Sequence, residues 1–195
     1  MKKLAVWILA VCALAAQDWR IDPAHSAAHF SVRHMMVSNV RGHFGKISGT
    51  AQFDPADPAK GRVEATIDVA TIDTREPKRD AHLKSADFFD VAVHPTMTFR
   101  SAKIERAGEG RLKMTGDLTI HGVTRSVVFD VEGPAPPLKD PRSGQRTGAS
   151  ATARISRKDF GMTYNRLIET GGFVVGDEVT ITIDLELVGG AGGRT

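Results

Sequence analysis

Cysteine is almost absent: Cys12 is the single one in 195 residues, so no intramolecular disulfide can form and the fold rests on its own core. Aromatic residues other than phenylalanine are scarce too, with Trp7, Trp19 and Tyr164 beside nine phenylalanines. No Lys/Arg cluster is interleaved with those rings, which argues against nucleic-acid binding. Beyond the first residues no apolar run approaches the roughly 18 that a membrane-spanning helix needs. A Gly-x-Ser-x-Gly elbow is missing, as are a repeat at fixed spacing and a linker that would divide the chain into two domains.

The start of the chain is the exception to this even composition. Lys2 and Lys3 precede an apolar stretch from Leu4 to Ala16, followed by polar Gln17-Asp18, and Ala13-Leu14-Ala15 supplies a small-x-small cleavage pattern. Residues 1–16 therefore read as an export signal, which places the mature chain in the periplasm or outside the cell, with no transmembrane segment. Cys12 lies inside that signal, and Val11 before it is a poor match to a lipidation site. Without Lys2 and Lys3, 24 basic residues face 23 acidic ones, so the net charge of +3 falls to about +1 and says little about partners.

From residue 19 onward the dominant signal is alternation. Val179-Thr180-Ile181-Thr182-Ile183-Asp184-Leu185-Glu186-Leu187 places every apolar side chain on one face of a strand. Similar patterns predict strands near 19–22, 26–35, 42–53, 61–72, 96–106, 110–120, 123–133, 148–157 and 177–188. Asp54 to Pro58, Ala107 to Gly110 and His121-Gly122 are short turns of the kind that join antiparallel neighbours. Thr74 is the expected cap of a short helix near 75–86, after which Phe88 and Phe89 return to the core. The segment from Gly133 to Thr147 reads as a long polar loop, residues 17–188 as one domain, and 189–195 as a flexible tail.

Antiparallel strands with one apolar face make either a sandwich or a closed barrel. Inward positions are large in Val127, Phe129 and Val131 but small in Ala149, Ala151 and Ala153. Interiors normally fill to crystal-like density, so a wall of alanines implies a bulky neighbour or an unfilled lumen, and an eight-stranded barrel is of a size to hold one small ligand.

Three polar constellations compete with that reading. Histidines at 25, 29, 34 and 43 are metal-ligand types, yet His29 and His34 have opposite parity on one strand, and no acidic residue completes a set. Asp22, His25 and Ser26 are the residue types of a nucleophilic triad, but within five positions they cannot easily converge; a turn before a strand is the simpler role. Arg75, Lys78, Arg79, His82 and Lys84 could attract a phosphate, or form a solvated helix face. No catalytic residue, cofactor or resident metal is expected.

Several motifs in order carry a resemblance. Trp19-x-Ile21-Asp22-x-x-His25-Ser26-x-x-x-Phe30-x-Val32-x-His34, then Gly42-x-Phe44 and the strand with Gly49, open the series. His82-Leu83-Lys84-Ser85-x-Asp87-Phe88-Phe89-Asp90-Val91 with Pro95-x-Met97-x-Phe99-x-Ser101 continues it. Leu118-Thr119-Ile120-His121-Gly122-Val123-Thr124 and Ile155-x-Arg157-x-Asp159-Phe160-Gly161 complete it. These segments resemble the YceI-like family of exported lipid-binding proteins; Ser126 stands where that family often has proline. The resemblance implies an all-β, lipocalin-like extended antiparallel barrel of about eight strands, holding a long isoprenoid, quinone or fatty amide and catalysing nothing. The alternative is a barrel enzyme or metal-binding protein acting on an isoprenoid-like substrate. A homodimer is compatible with either.

The expected lining comes from the apolar parity of each strand: Phe30, Val32 and Phe44; Val63 and Ile67; Met97 and Phe99; Leu112 and Met114; Val127 and Phe129; Ile181 and Ile183. Met97 and Met114 suit a flexible ligand because thioethers adapt to irregular shapes. Phe160, Met162 and Phe173 are expected to close one end, with His25, Arg157 and Tyr164 as headgroup candidates.

Overall fold

A computed structural model describes residues 16–141, 144–169 and 171–189. All but the last residue of the expected export signal, Cys12 included, and most of the expected tail lie outside the described residues. In chain order the strands are β1 (Gln17–Ile21), β2 (Ala27–His34), β3 (Ser38–Phe44), β4 (Ile47–Asp54), β5 (Asp57–Asp68) and β6 (Ile72–Asp73). A short helix α1 (Pro77–Lys84) follows. The rest are β7 (Thr96–Gly108), β8 (Arg111–Ile120), β9 (Val123–Glu132), β10 (Leu138–Asp140), β11 (Gly144–Ser156) and β12 (Val175–Gly189).

The strands close into a ring of eight: β11, β9, β8, β7, β5, β4, β1 and β12, with β12 returning to β11. Every pairing is antiparallel, and the closing one runs from Gln145↔Gly189 to Ser156↔Glu178. Closure of this kind removes both sheet edges, and eight strands leave an interior about one side chain deep from each wall.

Three ring positions are broken strands, which lengthens the barrel toward one end. β1 and β2 both pair with β12, but residues 22–26 between them face only two residues of β12. Ser26 bridges the gap: its hydroxyl donates to the Glu186 carbonyl (3.3 Å) and accepts from the Glu186 N–H (3.0 Å). Asp22 N–H also donates to the Glu186 carbonyl, at 2.9 Å. The side chain thus satisfies backbone groups that the interrupted ladder would leave unpaired.

The expected strand 42–53 is likewise two strands, β3 and β4, kinked at Gly45-Lys46. The expected strand 61–72 begins at Asp57 and ends in a 3-10 turn over Val69–Thr71 before β6. The two irregularities face each other, with Gly45 N–H donating to the Thr71 carbonyl and Lys46 N–H to its hydroxyl. A bulge that increases local twist is how a barrel strand bends outward, and period-two reading does not register it.

Other expectations need correction. The cap of α1 is Glu76, whose carboxylate accepts from Lys78 N–H; Thr74 is instead buried and bonded through its N–H and hydroxyl to the Asp80 carboxylate. The loop from Gly133 to Thr147 contains β10, which pairs with β11. Gly189 is no tail residue, since it pairs with both Trp19 and Gln145. His121 (φ 51°) and Gly122 (φ 71°) form the expected two-residue hairpin turn, with both central residues left-handed as that turn requires.

Trp19, fully buried and stacked on Phe53 with centroids 5.4 Å apart, anchors the β1 end of the barrel. Its ring lies where a Cβ at Gly189 would stand, 2.4 Å from Trp19 Cε3. Gly189→Val should therefore cost about 1–3 kcal/mol by displacing the indole, measured by urea denaturation with Trp19 fluorescence as an independent reporter.

Candidate functional site

Inside the ring lies a cavity of about 180 Å³. A second, of about 70 Å³, continues it toward the β1 end. Val63, Met114, Ala151 and Leu185 belong to both walls, so the two chambers meet at a waist where one side is an alanine.

The structure brings together most of the expected lining. Phe30, Val32, Phe44, Val63 and Ile67 line the main chamber from β2 to β5, with Met97 and Phe99 from β7. Met114, Phe129, Met162, Ile181 and Ile183 complete that set, while Leu112 lines the smaller chamber. Phe30 can lie flat against its neighbour because that neighbour is Gly42, where a Cβ would stand 2.5 Å from the ring. Val127 and Phe160 are buried in the packed core and touch neither chamber. Phe173 is 46% exposed outside the barrel, with Lys158 Nζ 5.7 Å above its ring.

Several wall residues fall outside the expected set. Leu118, Ile120, Ile155 and Leu185 have the same period-two parity as the inward residues of their strands and were legible by extending it, whereas Ile47 has the opposite parity to Phe44 and faces inward because the break at Gly45-Lys46 shifts the phase between β3 and β4. Leu83, Phe88 and Phe89 come from α1 and the turns after it, covering one end of the barrel where no strand pattern exists. Phe89 packs edge-on against Phe44, and Phe88 against Tyr164 and His82. Tyr164 thus supports the end plug and does not reach the cavity.

Polar groups on the wall are spent elsewhere. His29 and Thr98 are exposed residues whose sequence neighbours face inward, so their side chains belong to the outer face. Arg157, only 3% exposed, gives its guanidinium to the carbonyls of Gly176 and Tyr164 (2.9 Å each), to that of Met162, and to the Asp177 carboxylate (3.0 Å). Burial pushes its pKa down and Asp177 opposes this. Arg157 therefore ties the 162–177 segment to the barrel end. Arg157→Ala should leave those carbonyls without their donor and cost roughly 3 kcal/mol or more, with faster proteolysis between 162 and 174 as the local readout.

The other polar constellations lie on the outside. His25 is exposed and paired to Asp22 (2.9 Å), which also accepts from Ala24 N–H, and the Ser26 hydroxyl is used by Glu186 as described. Arg146 joins this group, 2.7 Å from Asp22 and in contact with Asp140 and Glu186. Within the basic helix, Arg79 is held by Thr74 and His82 by Asp87. His29 stands beside His43, ring centroids 6.0 Å apart. Two groups among the described residues could offer three ligand atoms to a metal ion, Asp22/His25/Glu186 and Asp90/His94/His121. In the first, Asp22 and Glu186 already hold the Arg146 guanidinium and His25 pairs with Asp22; in the second, His121 Nδ1 faces the Phe160 carbonyl at 3.3 Å.

Arg146, then His25, holds the Asp22 carboxyl down at about 2, against an ordinary value of 3.8. A carboxyl with a lowered folded-state pKa contributes stability that is complete above its unfolded value and lost as pH falls through the folded one. Melting temperature should therefore decline between about pH 4 and pH 2, and Arg146→Ala should flatten that part of the profile in thermal melts across the range.

Comparison with known proteins agrees with this geometry. The YceI-like domain model matches residues 19–187. A UPF0312 protein of Vibrio cholerae is 38% identical over 172 residues, covering 83% of this chain and 89% of that protein. Among solved structures, Burkholderia cenocepacia BcnA superposes with a TM-score of 0.73 at 29% identity, covering 85% of this chain and 98% of that one. A polyisoprenoid-binding domain from Saccharophagus degradans shares the fold at a TM-score of 0.63, with 14% identity and coverage of 88% and 98%. Sequence, barrel closure and these matches agree: the chain belongs to the YceI-like family.

Proposed function

We propose that this chain binds and carries a long-chain amphiphilic lipid, a polyisoprenoid, isoprenoid quinone or fatty amide, in the barrel lumen outside the cytoplasm, without transforming it. The observation that carries this reading is the 180 Å³ chamber walled by apolar side chains, with Arg157 committed to backbone carbonyls. At roughly 10–15 Å³ per water centre there is room for about a dozen waters, yet each water needs 2–4 polar partners that this wall does not offer. An apolar chain is the occupant such a space favours.

Magnitudes support a carrier with no special headgroup site. Each buried methylene is worth about 0.8 kcal/mol, so about half of a roughly 40-carbon tail gives a gross ~16 kcal/mol. This nears the practical ceiling of roughly 18–21 kcal/mol before ordering costs reduce it. The polyisoprenoid-binding relative from Saccharophagus degradans supports the same ligand class. Lys2, Lys3 and the apolar stretch that follows support export to the periplasm or beyond.

Native mass spectrometry of protein purified from its own host should show an added mass of lipid size that disappears after organic extraction; bare polypeptide under mild conditions would contradict the reading. Ala151→Phe, which fills the waist between the chambers, should lower uptake of a fluorescent long-chain probe at least ~10-fold while the melt shows a folded protein. The rival reading, a metal-dependent barrel enzyme, draws on Asp90, His94 and His121. It predicts stoichiometric transition metal by elemental analysis, lost in His94→Gln.

A further inference from the structure

Exposed apolar side chains are concentrated at one place on this protein. Of eight large ones among the described residues, Met35, Met36, Val37, Leu167 and Phe173 belong to two loops that touch. Met35 N–H donates to the Val174 carbonyl (2.8 Å), and Leu167 bridges to Phe173. A Cβ at Gly172 would stand 3.8 Å from Met36 Cγ, so both loops contribute to one surface. Exposure rises to 61% at Met36, 76% at Val37 and 78% at Leu167. Scattered apolar residues are ordinary on a surface, but a contiguous group marks an interaction site.

The backbone of the β2–β3 turn gives an independent reason. Met35 and Met36 have φ of 48° and 60°, in the left-handed region where glycine or asparagine is the ordinary occupant. Methionine serves neither the turn nor the core at these positions, since both side chains face solvent. Such a departure from local preference is expected where a residue is kept for contact with something else.

Charge identifies the partner. Arg33 borders the apolar group and donates to the Met36 carbonyl (2.8 Å), Lys158 lies over Phe173, and exposed Arg166 precedes Leu167. Lys158 also pairs with Asp177 (2.7 Å), and Asp159 and Glu169 are the acids within the same segments. An apolar centre of methionine, leucine and phenylalanine with cations at its rim matches the interface of a bilayer bearing anionic headgroups. Val32 and Val175, both on the cavity wall, lead directly into these loops.

We propose that this tip docks on an anionic phospholipid bilayer, setting the barrel end against the source of its ligand; the second part rests on the carrier reading above. Flotation of the purified chain with mixed phosphatidylcholine and phosphatidylglycerol vesicles tests it. Wild type should float with the mixed vesicles and less with phosphatidylcholine alone. A Met36→Asp, Leu167→Asp double variant with an unchanged melt should bind at least ~10-fold more weakly. Arg33→Gln with Arg166→Gln should remove the preference for anionic lipid.

Failure of wild type to float, or flotation of the double variant equal to wild type, overturns the proposal. So does a concentration-dependent dimer that the double variant abolishes while neither form binds vesicles. Native mass spectrometry on the same samples separates the two readings. Lipid occupancy without flotation removes the tip and leaves the carrier; flotation without occupancy removes the carrier and leaves the tip.

Discussion

Closure of the ring along the β11–β12 pairing is the constraint on which the rest depends. Twelve consecutive residue pairs join these strands, and β12 continues on its other side to β1 and β2. Once the backbone groups of eight strands are satisfied around a circle, interior volume is set by geometry and no longer by how much side chain is available to fill it. In a sandwich the two layers would approach until the small residues of β11 met larger ones opposite. In a closed ring Ala151 has no such freedom, and part of the interior stays open.

Two devices make the open interior compatible with a stable protein. One is the dense packing at the β1 end, where Trp19 stacks on Phe53 and lies against Gly189. The other is the plug at the opposite end, where Phe88, Phe89 and Leu83 close against Phe44 and Tyr164, and Arg157 binds the 162–177 segment to the barrel. Arg157 shows how a buried cation can be structural: its donors meet carbonyls left over where a strand has ended, and Asp177 balances its charge. The same commitment removes it as a headgroup partner.

Polar residues that look chemical in the sequence are mostly occupied by backbone irregularities. Asp22 and Ser26 complete the broken β1–β2 strand, Thr74 and Asp80 fix the entry to α1, and Arg146 gathers three carboxylates across the outer wall. These are costs of bending and interrupting strands, met locally by side-chain hydrogen bonds. The interior is left nearly free of polar chemistry, as suits a space for a hydrocarbon tail.

Period-two alternation, turn chemistry and the ordered motifs by themselves determined an antiparallel β protein, the His121-Gly122 hairpin, and which parity of most strands faces inward. Those features are local, and local sterics write them directly into residue order. Tertiary structure alone decided which inward residues face empty space and which are packed, because this depends on the opposite wall: Val127 and Ile47 have the same chemistry in the chain, but only Ile47 meets the cavity. It also decided where strands break, how residues 83–89 cover one end, and that Met36 and Leu167, far apart in sequence, share a surface. Each is a matter of which distant segments ring closure brings together, a property no window along the chain contains.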